Sequence, residues 1–244
     1  MGSIGSVFIA ISAGYIVIIV ADFLVVLILL PLLLRSRPRL LVKWGIAHPG
    51  DESLAAKGRV LARKMGVRVP KVYTISSARS RSAKAFQIGS RSSSIVISDK
   101  LVEGLSESEL DAILAHELAH AGGKHVLGIA SITIVYSLAG VDFILLNNVV
   151  KTSLLQNTIV STAGLLFLVS GTFAAAYMRR MFEFEADRIA SKVIDPGDLI
   201  SALERMATLN PVSDISGWRG WVVSHPPLIE RIEKLRRLLA VAGS

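Results

Sequence analysis

The residues with the clearest chemistry lie in one short run, His116-Glu117-Leu118-Ala119-His120. Histidines at i and i+4 share a helix face, so both imidazoles can reach a single metal ion. Glu117 is turned about 100° from His116, which sets it beside such a metal and within reach of its water. Leu118 and Ala119 are apolar, as a buried helix requires. His-Glu-x-x-His arises by chance in roughly one chain in a hundred of this composition, so its meaning rests on context. The competing reading is a helix carrying two core histidines.

Two histidines leave a metal short of a ligand. The pattern His-Glu-x-x-His-x-x-Gly-x-x-His would need histidine at 126, where the chain has Val126. Gly123 fits that pattern, but His125 falls one position early. The other common solution is an acidic ligand from a second helix. Phe182-Glu183-Phe184-Glu185-Ala186-Asp187 supplies one. Glu183 and Asp187 are again i and i+4 on one face, whereas Glu185 points away from them and is the weaker candidate. Spacing alone leaves Glu183 and Asp187 both open, and a bare acidic pair on a helix is usually a solvated face.

The elements that must position these residues are readable from caps and periodicity. Ser106, with Glu109 three residues on, predicts a capping box at the start of the histidine helix, and Gly122-Gly123 predicts its end. Residues 51–65 read as an amphipathic helix with Leu54, Val60 and Leu61 as apolar positions and Gly66 as its stop. Residues 71–76 read as a strand. Residues 85–89 and 94–98 read as two short strands joined by a polar turn at Ser90 and Arg91. Residues 181–194 continue helically until Asp195-Pro196-Gly197, 199–209 form another helix, and Pro226 opens a last one running to about Val241. Residues 38–49 read as a linker, with His48 in a surface loop.

Composition says where these elements live. The 244 residues include no cysteine, are 52% hydrophobic and 19% charged, and carry a net charge of +8. Disorder is excluded by the apolar content, and disulfide or thiolate sites by the missing cysteines. The apolar residues concentrate in 7–34, 126–150 and 158–178, each long enough to cross a bilayer. Together these stretches hold only two charged residues, Asp22 and Asp142, to which no role is assigned. The first stretch is too long for a signal-peptide core and has no basic leader, so it reads as one tilted, retained anchor. All lysines and arginines except Lys151 lie at 35–124 or 179–237, which predicts both polar segments on the cytoplasmic side and the N-terminus outside. The positive charge is thereby explained without nucleic acid. No Gly-rich phosphate loop is present, and aromatics do not interleave with the basic residues. Trp44, Trp218 and Trp221 read equally as interfacial anchors or core.

On these motifs the chain resembles the HtpX-like and CAAX-prenyl-protease-like integral membrane zinc metalloproteases. The resemblance rests on Ala85-Phe86-Gln87-Ile88-Gly89, the HELAH helix, Glu183-x-x-x-Asp187, and Ser224-His225-Pro226-Pro227 followed by Glu230-Arg231-Ile232. It implies His116, His120 and Glu183 as ligands of one Zn2+ and Glu117 as general base. Asp187 is implied as a residue behind the ligands, placed to orient a ligand imidazole, and His225 as a residue that reaches the active site, a candidate to stabilise the oxyanion. His125 matches a histidine that many members carry. A peptide would bind along the strand at Ala85, Phe86 and Gln87. The chain departs from the pattern at Lys84, where the family usually has asparagine, at Phe182, where arginine is usual, and in having one span ahead of the catalytic part where HtpX typically has two.

The expected fold is mainly α: about three transmembrane helices and a zincin-like α+β metalloprotease domain with a small sheet. In chain order these are a span at 7–34, a first catalytic part at 35–125, spans at 126–150 and 158–178, and a second catalytic part at 179–244. The expected activity is a membrane zinc endopeptidase acting on membrane or misfolded polypeptides at the cytoplasmic face. The alternatives are a selective prenyl-peptide-type protease and a catalytically silent zinc-binding scaffold. The lipid bilayer and polypeptide substrates are the expected partners, and nucleic acid is not.

Overall fold

The computed structural model describes residues 24, 41–76, 83–88, 94–149, 153–210 and 226–242. The apolar segment 7–34 (apart from Leu24), the turn at Ser90 and Arg91, Trp218, Trp221 and His225 lie outside the described residues. In chain order the elements are β1 (His48–Pro49), α1 (Glu52–Lys64), β2 (Lys71–Ile75), β3 (Ala85–Ile88), β4 (Ser94–Ser98), α2 (Asp99–Gly104), α3 (Glu107–Gly122), α4 (His125–Val149), α5 (Leu154–Ala190), α6 (Pro196–Leu209) and α7 (Leu228–Ala242). The protein is mostly helical with one small mixed sheet, and the chain divides into two units.

One unit comprises Met1–Leu33 and Ala130–Ala175. Apart from Leu24, its described part is two segments from α4 and α5, helices that are each long and apolar enough to cross a membrane at a mean hydropathy of 1.8. Glycines let the helices approach: a β-carbon on Gly140 would stand 2.3 Å from Leu168, and one on Gly171 2.4 Å from Tyr136. Tyr136 also stacks on Phe167, with ring centroids 4.8 Å apart. Close approach through small residues is how helices associate where water offers no hydrophobic drive. Val135, Leu165, Leu166, Val169 and Phe173 remain exposed, as lipid-facing positions would be. Asp142 is buried.

The other unit comprises Leu34–Ile129 and Ala176–Ser244. Its sheet has the order β1-β2-β4-β3. β2 runs parallel to β4 (Lys71 opposite Ser94), and β3 antiparallel to β4 (Ala85 opposite Ile97). All of β4 is buried, as expected for a central strand, and β3 forms the sheet edge next to α3. Packed against the sheet is a core of Leu54, Leu61, Ile95, Ile97, Leu114, Leu118, Leu199, Leu203 and Leu235. α1 joins it through Leu54 and Leu61, while Val60 is 50% exposed and belongs to the outer face. Two elements escape the sequence reading. β1 pairs His48 with Thr74 inside the expected linker, so His48, though exposed, sits in a strand rather than a loop. α2 is a six-residue helix directly after β4, too short for any period to show.

Candidate metal centre

α3 carries the first half of the site. The Ser106 Oγ accepts from the Glu109 backbone N–H at 3.3 Å, and the Glu109 carboxylate accepts from the Ser106 N–H at 2.8 Å. This reciprocal cap fixes where the helix begins. Downstream every residue from Ala112 to Ala119 is buried, and the three alanines among them let neighbouring elements pack close on several faces. Lys57 of α1 anchors the outer side through Glu107 and Asp111. Held this way, His116 and His120 bring their Nε2 atoms to 3.1 Å of each other.

α5 supplies the carboxylates from the turns beyond its apolar stretch. Glu183 places Oε2 3.4 Å from His116 Nε2 and Oε1 3.4 Å from His120 Nε2. His116, His120 and Glu183 are thus a group that could hold a metal ion, with two of the three fully buried. Asp187, one turn on, does not join the triangle. Its Oδ1 lies 2.9 Å from Nδ1 of His116, on the far side of the ring. Glu117 is buried on α3 beside His116.

A third helix closes the cluster. Arg231 of α7 donates from Nε and Nη2 to the two oxygens of Asp187, at 2.8 and 2.6 Å, and its Nη1 lies 3.1 Å from Glu183. Such a two-pronged grip suits the rigid guanidinium fork. The cluster holds its own protonation states. Burial alone would favour uncharged groups, and it pulls His116 and Arg231 down and Asp187 up. The mutual charges and hydrogen bonds outweigh it. Asp187, facing Arg231 and His116, stays well below the usual carboxylate range. Arg231, between Asp187 and Glu183, is held above its ordinary value. His116 is opposed by burial and by the Arg231 charge, yet its hydrogen bond to Asp187 raises it to about 9.

The strand residues Ala85, Phe86 and Gln87 form β3, half-buried at the sheet edge. The strand's approach is clamped by Asn210, whose side-chain amide accepts from the Ala83 N–H at 2.9 Å and donates to the Ala83 carbonyl at 2.7 Å. Lys84 donates its N–H to the Ser98 hydroxyl. His225 lies outside the described residues. Arg231 is the residue whose part the sequence reading missed, although it stands in a quoted motif. Its signal is a cation set among Leu228, Ile232 and Leu235, the apolar stripe of α7.

A buried and a half-buried histidine one turn apart, met by a buried carboxylate from a second helix, define the class: a metal-dependent hydrolase. The chain belongs to peptidase family M48, whose profile matches residues 50–239, and is a metalloendopeptidase. It is 29% identical over 203 residues to "Protease HtpX" of Shewanella baltica, covering 72% of this chain and 70% of that protein. To "Protease HtpX" of Histophilus somni it is 29% identical over 206 residues, covering 75% and 70%. The crystal structure of S. mikatae Ste24p shares the fold, with a TM-score of 0.69 at 20% identity. That likeness covers 94% of this chain but only 63% of Ste24p.

Proposed function

We propose that the protein is a zinc endopeptidase of the membrane that cleaves membrane or misfolded polypeptides at its cytoplasmic face. The observation that carries the metal is the ligand triangle. Tetrahedral zinc with bonds of about 2.0–2.2 Å needs ligand atoms roughly 3.3 Å apart, and the three separations here are 3.1, 3.4 and 3.4 Å. His116, His120 and Glu183 would hold the ion. When bound, zinc supplies a Lewis acid that polarises the scissile carbonyl and acidifies water.

The chain's own groups do the rest. Glu117 takes the proton of the attacking water on its carboxylate and returns it to the leaving amine, a role worth about 10²–10⁴-fold in rate. Where His116 ligates through Nε2, its remaining proton sits on Nδ1 and is donated to Asp187, which fixes the tautomer and the ring's orientation. Arg231 holds Asp187 in that position. The sequence resemblance brings His225 to the active site, where it is a candidate to stabilise the oxyanion. A substrate strand adds to the edge of β3 along Ala85, Phe86 and Gln87 by backbone hydrogen bonds, which select weakly for side chains. Weak selection suits a quality-control protease. α5 supports a site close to the membrane: Glu183 lies about 8 Å along the helix from Met178, where the apolar stretch ends. With the segment 7–34 as a first span, the basic residues put both catalytic parts in the cytoplasm.

Glu117→Ala tests the reading. The variant should keep one zinc per chain while cleavage of casein falls to background. Unchanged cleavage would overturn the role of Glu117, and loss of zinc would show it to be structural. A silent scaffold is disfavoured because a purely structural site has no use for a carboxylate at 117.

A further inference from the structure

The junction of α3 and α4 is shaped around His125, a residue with no part in the mechanism above. It is 2% exposed. Its Nδ1 lies 2.9 Å from Nδ1 of His120, its Nε2 lies 3.4 Å from Oε2 of Glu185, and its ring stacks flat on Phe182 with centroids 4.2 Å apart. The backbone bends to allow this. Lys124, at φ 54°, is the only non-glycine residue with positive φ among the described residues. At Gly123 a β-carbon would stand 2.2 Å from the imidazole of His125. Strain of the Lys124 kind persists only where the surroundings over-determine it, and it gathers at functional sites.

We infer that His125 is a positioning residue for His120, and that Glu185 in turn orients His125. The inference rests on the metal reading, in which His120 ligates through Nε2. The proton of His120 then sits on Nδ1 and is donated to Nδ1 of His125. That nitrogen must present a lone pair, so His125 carries its own proton on Nε2, the side facing Glu185. Phe182, stacked on the ring, blocks its rotation. Both ligand histidines are therefore gripped at Nδ1 by different means. Asp187 holds His116 directly, while an imidazole backed by the half-exposed Glu185 holds His120. The aromatic residue at 182, one of the chain's departures from its family, is part of the second grip.

The test is zinc affinity of the full chain in detergent, read by competition with a chromophoric chelator. His125→Phe preserves volume and stacking but removes the acceptor, and should weaken zinc binding about 10–100-fold. His125→Asn places an amide oxygen near the lost Nδ1 and should recover most of that loss. A merely structural role predicts the reverse order, since phenylalanine packs better on Phe182. Equal binding by wild type and His125→Phe, or an Asn variant no better than the Phe variant, overturns the inference. Should His125→Phe fail to fold, Glu185→Ala decides from the exposed end. Severalfold weaker zinc binding supports the chain, and none refutes it. Zinc binding that survives His120→Ala would overturn the metal reading itself, a distinct failure.

Discussion

Two helices each bring a pair of polar side chains, four residues apart, to the same cluster, and the pairs meet different ends. On α3 both members turn inward, His116 and His120 presenting Nε2 atoms 3.1 Å apart. On α5 the members divide: Glu183 faces both of those nitrogens, while Asp187 passes behind His116 and is gripped by Arg231. Helical periodicity places both members of each pair on one face. It does not say how far they reach. Asp187 stands one turn beyond Glu183 and is a methylene shorter, and it meets Nδ1 of His116 instead of the triangle. A cation from a third helix then fixes what the shorter residue does.

The sharpest way to break this asymmetry is to neutralise the two carboxylates separately. Glu183→Gln removes a proposed ligand and should abolish zinc retention through gel filtration. Asp187→Asn removes only the orienting group, so zinc should remain with an affinity about 10–100-fold lower. Equal losses would erase the distinction between the two carboxylates. Elemental analysis and chelator competition on the purified variants decide it.

Removing the cation probes the same division from the other side. Arg231→Met leaves Glu183 and Asp187 buried without their counter-charge, which should cost about 3–5 kcal/mol in the metal-free protein. Arg231→Lys should recover little, because a single ammonium cannot match the two-oxygen grip on Asp187. Denaturant unfolding of the chelated protein in detergent measures both. A lysine variant as stable as wild type would show that charge alone, not the fork, holds the pair.

The contrast also explains what could be read in advance. α3 was legible because everything that defines it is local: a capping box, an i and i+4 histidine pair, and paired glycines at its end. The acidic pair on α5 was legible for the same reason, but spacing left the choice between Glu183 and Asp187 open, and only the family resemblance separated them. What holds Asp187 apart, Arg231, lies 44 residues beyond it and is seen only in the structure. β1 escaped because two residues, one of them proline, carry no alternation and pair only through Thr74 and Tyr73. Val60 is one of the apolar positions that mark α1 as amphipathic, yet the buried face of the helix runs through Leu54, Gly58, Leu61 and Ala62. Glu185 was correctly set apart from its neighbours, but its partner, His125, lies on another helix and could not be read from spacing.

The smallest expected effect concerns the start of α3, where the contrast with α5 is one of end against middle. Ser106→Ala removes half the capping box and should cost about 1 kcal/mol of stability. No comparable change exists near Glu183, which sits inside a continuous helix with no cap to lose. The cap should also make α3 acid-sensitive. The hydrogen bond from Ser201, followed by that from the Ser106 N–H, holds Glu109 below its ordinary carboxylate value. A depressed folded value means that the stabilisation is present above the unfolded pKa and is lost as pH falls through the folded one. Wild type and Glu109→Gln should therefore differ in unfolding midpoint at neutral pH and converge in acid. A gap that persists below that range would mean that packing, rather than the charge on Glu109, secures the helix start.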